Sequence, residues 1–276
     1  MPLNLRAPLI VGGVGGSGTR AVVAILQNAG VYMGSYNNVA NDNLHFARLI
    51  SDHPDNWKRP YSDLQLGLNT FHRLYFGQTL FPRHIACIYS FARQPRLKQT
   101  WLLIRRSHDV RTPINSIYHW GFKNPSTCFF LPQLTEHYPE CKYIHVIRHG
   151  LDMAFSSNTI QLLNWGPEFG LESHDGHFTA QQQLDFWKSA NQFSIQTCRR
   201  LIPDRHYILN FDRLCTYPEA EIDKLFAFLE LKPSTAIAEL TALVKLPSST
   251  GRYKNHLKLF TSEQIQAVRD FGFEVG

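Results

Sequence analysis

The sequence predicts an α/β fold in which a parallel sheet is flanked by helices on both faces. Short apolar runs, such as residues 9–11 and 143–147, alternate along the chain with longer segments that have helical spacing. This alternation is typical of a parallel sheet, because each pair of parallel strands needs a crossover connection. No linker-like, low-complexity or repeated stretch interrupts the 276 residues, so we expect one domain over residues 1–276.

The first strand and helix enclose a glycine-rich turn. Residues 9–11 are an apolar strand, residues 12–18 are mostly glycine, and residues 21–26 begin a helix that we expect to end at Gly30. Glycines let backbone N–H groups converge, and a helix N-terminus adds partial positive charge. Ser17 and Thr19 add hydroxyl donors. The unit therefore predicts a binding site for a phosphate or a sulfate.

The rest of the chain supplies further strands and helices. We predict strands at 31–34, within 118–125, at 143–147 and at 206–211. Residues 35–60 are polar and rich in Asn and Asp, which favours turns. We predict helices within 62–111, at 131–138, from 151, from a cap at Thr179 to 201, at 218–229, and from a cap at Thr261 or Ser262 to 271.

The formal net charge of +6 points to an anionic ligand or to a merely basic surface. A nucleic-acid polymer is a poor fit, because no run of Lys and Arg exceeds two residues. Within 62–111 the basic residues form either a solvated helix face or a docking surface for an acidic substrate. They are Arg93, Arg96, Lys98, Arg105, Arg106 and Arg111.

The five cysteines are scattered, odd in number and without a C-x-x-C pair. This spacing argues against a disulfide framework or a zinc site and favours a reducing compartment. The sequence has no regular metal-ligand spacing, no signal peptide and no membrane-length apolar segment. We therefore expect a cytoplasmic protein that has no membrane span and no bound metal.

The glycine-rich turn alone leaves its ligand open. Residues 13–18 match the dinucleotide pattern G-x-G-x-x-G, but no acidic residue follows the next predicted strand before Asp42. Gly13 and Gly18 also have the spacing of an NTP-binding P-loop. Thr19 and Arg20 then stand where that motif has Lys and Ser or Thr, so the usual phosphate-binding lysine is missing.

Other motifs favour a third interpretation. The turn, Lys123-Asn124-Pro125, the strand ending in Arg148, Ser156 eight residues later, and the basic stretch around Arg252 follow one another in a familiar order. Together they resemble the sulfotransferases, most closely the branch that includes tyrosylprotein sulfotransferases and many bacterial enzymes. The resemblance implies a P-loop-NTPase-like fold and the donor 3′-phosphoadenosine 5′-phosphosulfate (PAPS), which leaves as 3′,5′-adenosine diphosphate.

The resemblance implies two anion sites for that donor. The 5′-phosphosulfate would bind the turn at Gly15, Gly16, Ser17, Gly18 and Thr19. The 3′-phosphate would bind Arg148 and Ser156, with Arg252, Tyr253 and Lys254 closing over the nucleotide. The chain departs from the family at Gly16, where relatives often carry a basic residue, and at Arg20, where they have a second threonine. Arg20 is a candidate to replace the lost charge.

The resemblance also implies the catalytic groups. Lys123 would stabilise charge on the leaving oxygen as a sulfuryl group moves to an acceptor hydroxyl of a small molecule, glycan or peptide. The general base is open between Asp42 and His45, which would share one face of a helix. Two alternatives remain at this stage. They are a P-loop kinase or NTPase, and a nucleotide-binding module on the same scaffold that has lost catalysis.

Overall fold

A sheet of four parallel strands forms the centre of the molecule. The computed structural model describes residues 7–52, 54–91, 97–107 and 117–276. The strands lie in the order β2–β1–β3–β4. They are β1 (Leu9–Gly13), β2 (Gly121–Lys123), β3 (Lys142–Ile147) and β4 (His206–Asn210). The α/β class and the parallel sheet that the sequence predicts are confirmed.

Helices cover the two faces of this sheet. In chain order, the helices that begin before residue 155 are α1 (Thr19–Asn28), α2 (Leu44–Phe46), α3 (Tyr61–Tyr75), α4 (Pro82–Phe91), α5 (Leu97–Ser107), α6 (Leu131–His137) and α7 (Gly150–Met153). Those that begin after it are α8 (Ile160–Trp165), α9 (Ala180–Leu201), α10 (Phe211–Thr216), α11 (Pro218–Leu229), α12 (Ile237–Thr241) and α13 (Ser262–Asp270). A π-helical turn (Ala47–Ser51) follows α2, and 3-10 turns include Pro54–Lys58, Pro125–Phe130, Gly166–Phe169 and Arg252–Leu259.

Alternation along β1 builds a core on each face of the sheet. Ile10 packs into a large cluster with residues of α3, α6 and α9. Leu9 and Val11 point to the opposite face, where they pack with α1 and α11. All five residues of β1 are buried, which explains why this strand reads as a continuous apolar run.

Several predicted boundaries agree with the observed elements. Thr179 caps α9 and Thr261 caps α13, each in a capping box with a glutamine three residues later. Gly30 has φ +92° and directly follows the last turn of α1. The predicted strand at 31–34 is wrong, because in the described residues this stretch contributes only one bridge, between Tyr32 and Trp120.

The predicted helical region 62–111 contains α3, α4 and α5. Of its basic cluster, Arg105 and Arg106 are exposed at the end of α5. Arg93, Arg96, Arg111 and the side chain of Lys98 lie outside the described residues. Across the described ranges, no helix is long and apolar enough to cross a membrane. The five cysteines are free thiols, and four of them are buried.

The carboxyl ends of three neighbouring strands meet at one edge of the sheet. A glycine-rich turn follows β1, Lys123 ends β2, and Arg148 follows β3. In the sheet, β2 lies on one side of β1, whereas β3 and then β4 lie on the other side. A crevice at such a change of direction is where open α/β sheets bind ligands.

Candidate active site

The glycine loop, residues 13–19, connects β1 to α1. Gly13, Gly16 and Gly18 have φ values of +149°, +95° and +95°. Gly18 is the N-cap of α1, and within the described part of the chain no side chain caps this helix. Its first N–H groups therefore lack intrahelical acceptors, as at every helix start. The hydroxyl of Ser17 is buried, and no described residue offers it a hydrogen-bond partner. Thr19 is buried beside it.

Lys123 lies at the end of β2, next to this loop. Its side chain is 3% exposed, and its Nζ donates to a carboxylate oxygen of Asp42 and, at 3.1 Å, to the carbonyl of Ala40. Burial lowers the pKa of Lys123, the carboxylate of Asp42 opposes that shift, and the charge of Arg20 adds to it. Arg20 itself is exposed in the first turn of α1. The structure therefore brings Lys123, Asp42 and Arg20 into one electrostatic cluster.

Asparagines hold Asp42 in an irregular loop. The Asn38 side chain donates to Oδ2 of Asp42 at 2.9 Å, and its carbonyl oxygen accepts from the N–H groups of Ala40 and Asp42. Asn43, rather than Asp42, caps α2 by accepting from the N–H of Phe46 at 3.0 Å. Both oxygens of the Asp42 carboxylate thus face a donor, and the residue lies before the helix.

His45 does not join this cluster. Its ring is 1% exposed, packs against Tyr36 with centroids 5.0 Å apart, and places Nε2 3.3 Å from the carbonyl of Leu103. Burial lowers its pKa to about 4, so the ring is neutral at neutral pH. The expectation that Asp42 and His45 share a helix face is wrong, because only His45 is helical.

Arg148 follows β3 and reaches the other side of the glycine loop. Its Nη2 donates to Ser249 Oγ at 2.8 Å, and its Nη1 lies 3.5 Å from the carbonyl of Gly16. Its Nε is buried, with no partner among the described residues. Ser156 is nearby, since a Cβ on Gly16 would lie 3.7 Å from its hydroxyl. That hydroxyl accepts from the N–H of Asn158 at 3.1 Å.

Asp152 joins the C-terminal basic stretch to this cluster, a role that the sequence analysis missed. Its carboxylate is buried and accepts from the N–H of Gly251 at 2.8 Å. Arg252 donates from Nε to the Asp152 carbonyl at 2.8 Å. Burial lowers the pKa of Arg252, and the charge of Arg148 adds to that shift. Two guanidinium groups are therefore held close enough to repel each other.

The other two residues of this stretch differ in burial. Tyr253 is 4% exposed, and its ring stacks on His149 with centroids 4.5 Å apart. Lys254 is exposed. In the described residues, no group of three His, Cys, Asp or Glu side chains is arranged to hold a metal ion.

A cleft of about 530 Å³ opens on the Lys123 side of the glycine loop. Its floor includes Gly15 and Asp42, and α8 forms one wall. The polar groups on its walls are Asn38, Arg48, Ser51, Asp52, Asn124, Ser126, Asn158, Gln161 and Asn164. Because Asp42 faces this space, a hydroxyl compound in the cleft would lie beside a carboxylate.

Comparison with known proteins identifies the family. A model of the sulfotransferase family matches residues 8–235. This chain belongs to the sulfotransferase family. The match includes the glycine loop, Asp42, Lys123 and Arg148, whereas Arg252 lies beyond its end. A comparison with curated protein sequences found no match.

Solved sulfotransferase structures resemble this family member at low sequence identity. A sulfotransferase domain from the curacin biosynthetic pathway has 13% identity and a TM-score of 0.50, covering 99% of this chain and 100% of that chain. A sulfotransferase domain from a Synechococcus olefin synthase has 15% identity and a TM-score of 0.49, with 99% and 97% covered. A sulfotransferase from Alicyclobacillus acidocaldarius has 11% identity and a TM-score of 0.48, with 96% and 95% covered. The first of these supports the P-loop-like sulfotransferase fold.

Proposed function

We propose that this chain, as one domain over residues 1–276, transfers a sulfuryl group from PAPS to an acceptor hydroxyl. The observation that carries the proposal is the convergence of three anion-binding features at neighbouring strand ends. The glycine loop follows β1, Lys123 ends β2, and Arg148 follows β3. The acceptor would be a small molecule, a glycan or a peptide.

The residues present fit a donor with two separate anionic groups. Ser17 Oγ and Arg148 Nε are buried donors for which the described chain supplies no acceptor. Such groups are costly unless a ligand satisfies them. They lie on different strand ends, and the guanidinium of Arg252 adds a second cation near Arg148. PAPS has a 5′-phosphosulfate and a 3′-phosphate, and when bound it supplies an activated sulfuryl group.

The binding roles follow from this division. Gly15, Gly16, Ser17, Gly18 and Thr19 would hold the 5′ end, since convergent N–H groups and a helix N-terminus neutralise an anion without a metal. Arg148, Ser156 and Arg252 would hold the 3′-phosphate. Arginine suits this role because its forked donors match the oxygens of a phosphate.

The catalytic roles fall to the ion-paired cluster. Asp42 would accept the proton of the acceptor hydroxyl from the cleft side, because its carboxylate reaches that space. Lys123 would stabilise the negative charge that develops on the leaving oxygen in an in-line displacement. Arg20 would add positive charge from the helix start. Asp42 would therefore have two partners, Lys123 and the acceptor hydroxyl.

The experiment is a transfer assay with PAPS labelled in its sulfuryl group and a panel of alcohols, sugars and tyrosine peptides. We expect label on at least one acceptor. Lys123→Met should reduce the rate by about 100-fold, whereas Lys232→Met, at an exposed position, should leave it unchanged. Donor binding without transfer to any acceptor would instead favour a non-catalytic module.

A further inference from the structure

Gln161 on α8 is joined directly to the glycine loop. The N–H of Gly15 donates to its Oε1 at 2.7 Å. The side chain is 8% exposed, and its Nε2 is buried with no hydrogen-bond partner among the described residues. Because the Gly15 N–H needs an acceptor, the amide oxygen must face the loop, and this fixes the direction of Nε2.

The glycine loop contacts two sets of residues. On the Gly16 side lie Arg148 and Ser156, which we assign to the nucleotide. On the Gly15 side lies α8, and a Cβ at Gly15 would be 3.6 Å from Gln161 Oε1. Gln161 also lines the cleft that contains Asp42. It also borders a small pocket with Gly15 and Ser156, so the side chain lies between the cleft and the loop that we assign to the 5′-phosphosulfate.

A buried amide donor without a partner is costly, and a bound anion would remove that cost. We propose that Gln161 recognises the transferring sulfuryl group: its Oε1 sets the position of Gly15, and its Nε2 donates to a sulfuryl oxygen. This inference rests on the proposed function. It makes α8 a part of the donor site that distinguishes PAPS from its product, 3′,5′-adenosine diphosphate, which lacks the sulfuryl group.

Calorimetric titration without an acceptor tests this role. Gln161→Glu retains an oxygen for the Gly15 N–H but replaces the Nε2 donor by a negatively charged oxygen. We expect its affinity for PAPS to fall by about tenfold or more, with a much smaller loss for 3′,5′-adenosine diphosphate. Gln27→Glu makes the same chemical change at an exposed position in the last turn of α1, away from the loop, and should change both affinities by less than about threefold.

A second variant separates recognition from loop support. Gln161→Met removes both hydrogen-bonding groups without adding charge. It should also weaken the binding of PAPS more than the binding of 3′,5′-adenosine diphosphate. Thermal unfolding checks that each variant is folded. Equal losses for the two ligands, or no loss for PAPS, would overturn the role of Gln161. Failure of the wild-type protein to bind either ligand would instead refute the proposed function, and the inference with it.

Discussion

The pair formed by Lys123 and Asp42 is asymmetric in its burial. The Lys123 side chain is 3% exposed, whereas that of Asp42 is 20% exposed. A buried cation without its counter-charge is costly, but a partly exposed carboxylate can be hydrated. Loss of the Asp42 carboxylate should therefore destabilise the folded protein more than loss of the Lys123 ammonium.

This asymmetry predicts unequal effects of the two single substitutions on stability. Asp42→Asn should lower the free energy of unfolding by about 3 kcal/mol, because it leaves Lys123 buried and unpaired. Lys123→Met should cost about 1 kcal/mol, because Asp42 keeps water and Asn38 as donors. Urea unfolding of both variants measures these values.

The double variant Asp42→Asn/Lys123→Met completes the cycle. It should be more stable than Asp42→Asn alone, because the buried charge is removed together with its partner. A double variant as unstable as the sum of the two single variants would show that the pair is not coupled.

Arg20 should affect turnover rather than folding. Its side chain is exposed, yet its charge lowers the pKa of Lys123. We expect Arg20→Ala to slow sulfuryl transfer by about tenfold or more while the unfolding free energy changes by less than about 0.5 kcal/mol. Near-normal turnover of this variant would mean that Lys123 stabilises the transferring sulfuryl group without help from Arg20.

Sequence reasoning could propose roles for residues that lie in a motif, but not for residues whose contacts depend on the fold. Lys123 and Arg148 could be proposed as site residues because each lies at the end of a recognisable strand. Asp152 and Gln161 could not, since each contacts a loop about 100 or more residues away in the sequence. The short spacing of His45 from Asp42 does not show whether its side chain is buried, and the structure places the His45 ring against Leu103 instead of the Asp42 carboxylate.

At the scale of elements, the entry into α1 requires glycine for two reasons. Gly18 has φ +95°, which strains any residue with a Cβ, and a Cβ there would lie 2.3 Å from Cδ2 of Phe211. Gly170 has φ +70°, and within the described residues nothing lies within 4 Å of its Cβ position. The two positions therefore share backbone strain but differ in steric clash.

Alanine at these two positions separates the two costs. Gly170→Ala should lower the free energy of unfolding by about 1 kcal/mol, the cost of a left-handed residue. Gly18→Ala should lower it by about 3 kcal/mol, because the Phe211 ring must also move. Urea unfolding measures both variants. Equal losses in the free energy of unfolding would contradict a steric cost from the Phe211 ring.

Long elements were more predictable than short ones. The helices α9 and α11 have a clear apolar period together with a cap or a starting proline, and the structure has them as predicted. Among the described residues, the stretch 31–34 forms a bridge only at Tyr32, with Trp120, and the chain turns at Gly34 with φ +85°. Whether so short an apolar run pairs as a strand depends on its neighbours, which local sequence does not encode.

For the whole molecule, two buried histidines and the partly buried His72 predict acid sensitivity. Burial lowers the pKa of His45, His72 and His145 to about 4, from an ordinary value of 6.5. The unfolded chain binds protons at these sites below pH 6.5, whereas the folded protein does not. Their contribution to stability is therefore complete above pH 6.5 and is lost as the pH falls toward 4.

The free energy of unfolding should fall between pH 6.5 and pH 4.5 by about 1.4 kcal/mol per pH unit for each such histidine. His145→Gln should reduce this slope, because the amide can still donate to Asn191 but does not titrate. His174→Gln, with the original ring 96% exposed, is the matched control and should leave the slope unchanged. A slope unaffected by His145→Gln would contradict the prediction.

The sheet order explains why distant motifs form one site. The loop after β1 lies more than 100 residues before Lys123 and Arg148 in the sequence, yet all three are at the same edge of adjacent strands. Parallel pairing could be expected from the alternation of strands and helices. The order β2–β1–β3–β4 could not be deduced from it, because each strand is a similar apolar run.

Titration of the wild-type protein with 3′,5′-adenosine diphosphate and adenosine 5′-monophosphate tests the central claim most directly. The two ligands differ only in the 3′-phosphate, so their ratio measures the site around Arg148. We predict that 3′,5′-adenosine diphosphate binds at least about tenfold more tightly, that Arg148→Ala removes this preference, and that Arg199→Ala, an exposed control, keeps it. Equal affinities in the wild-type protein, or tighter binding of magnesium ATP, would contradict the assignment of PAPS as the donor.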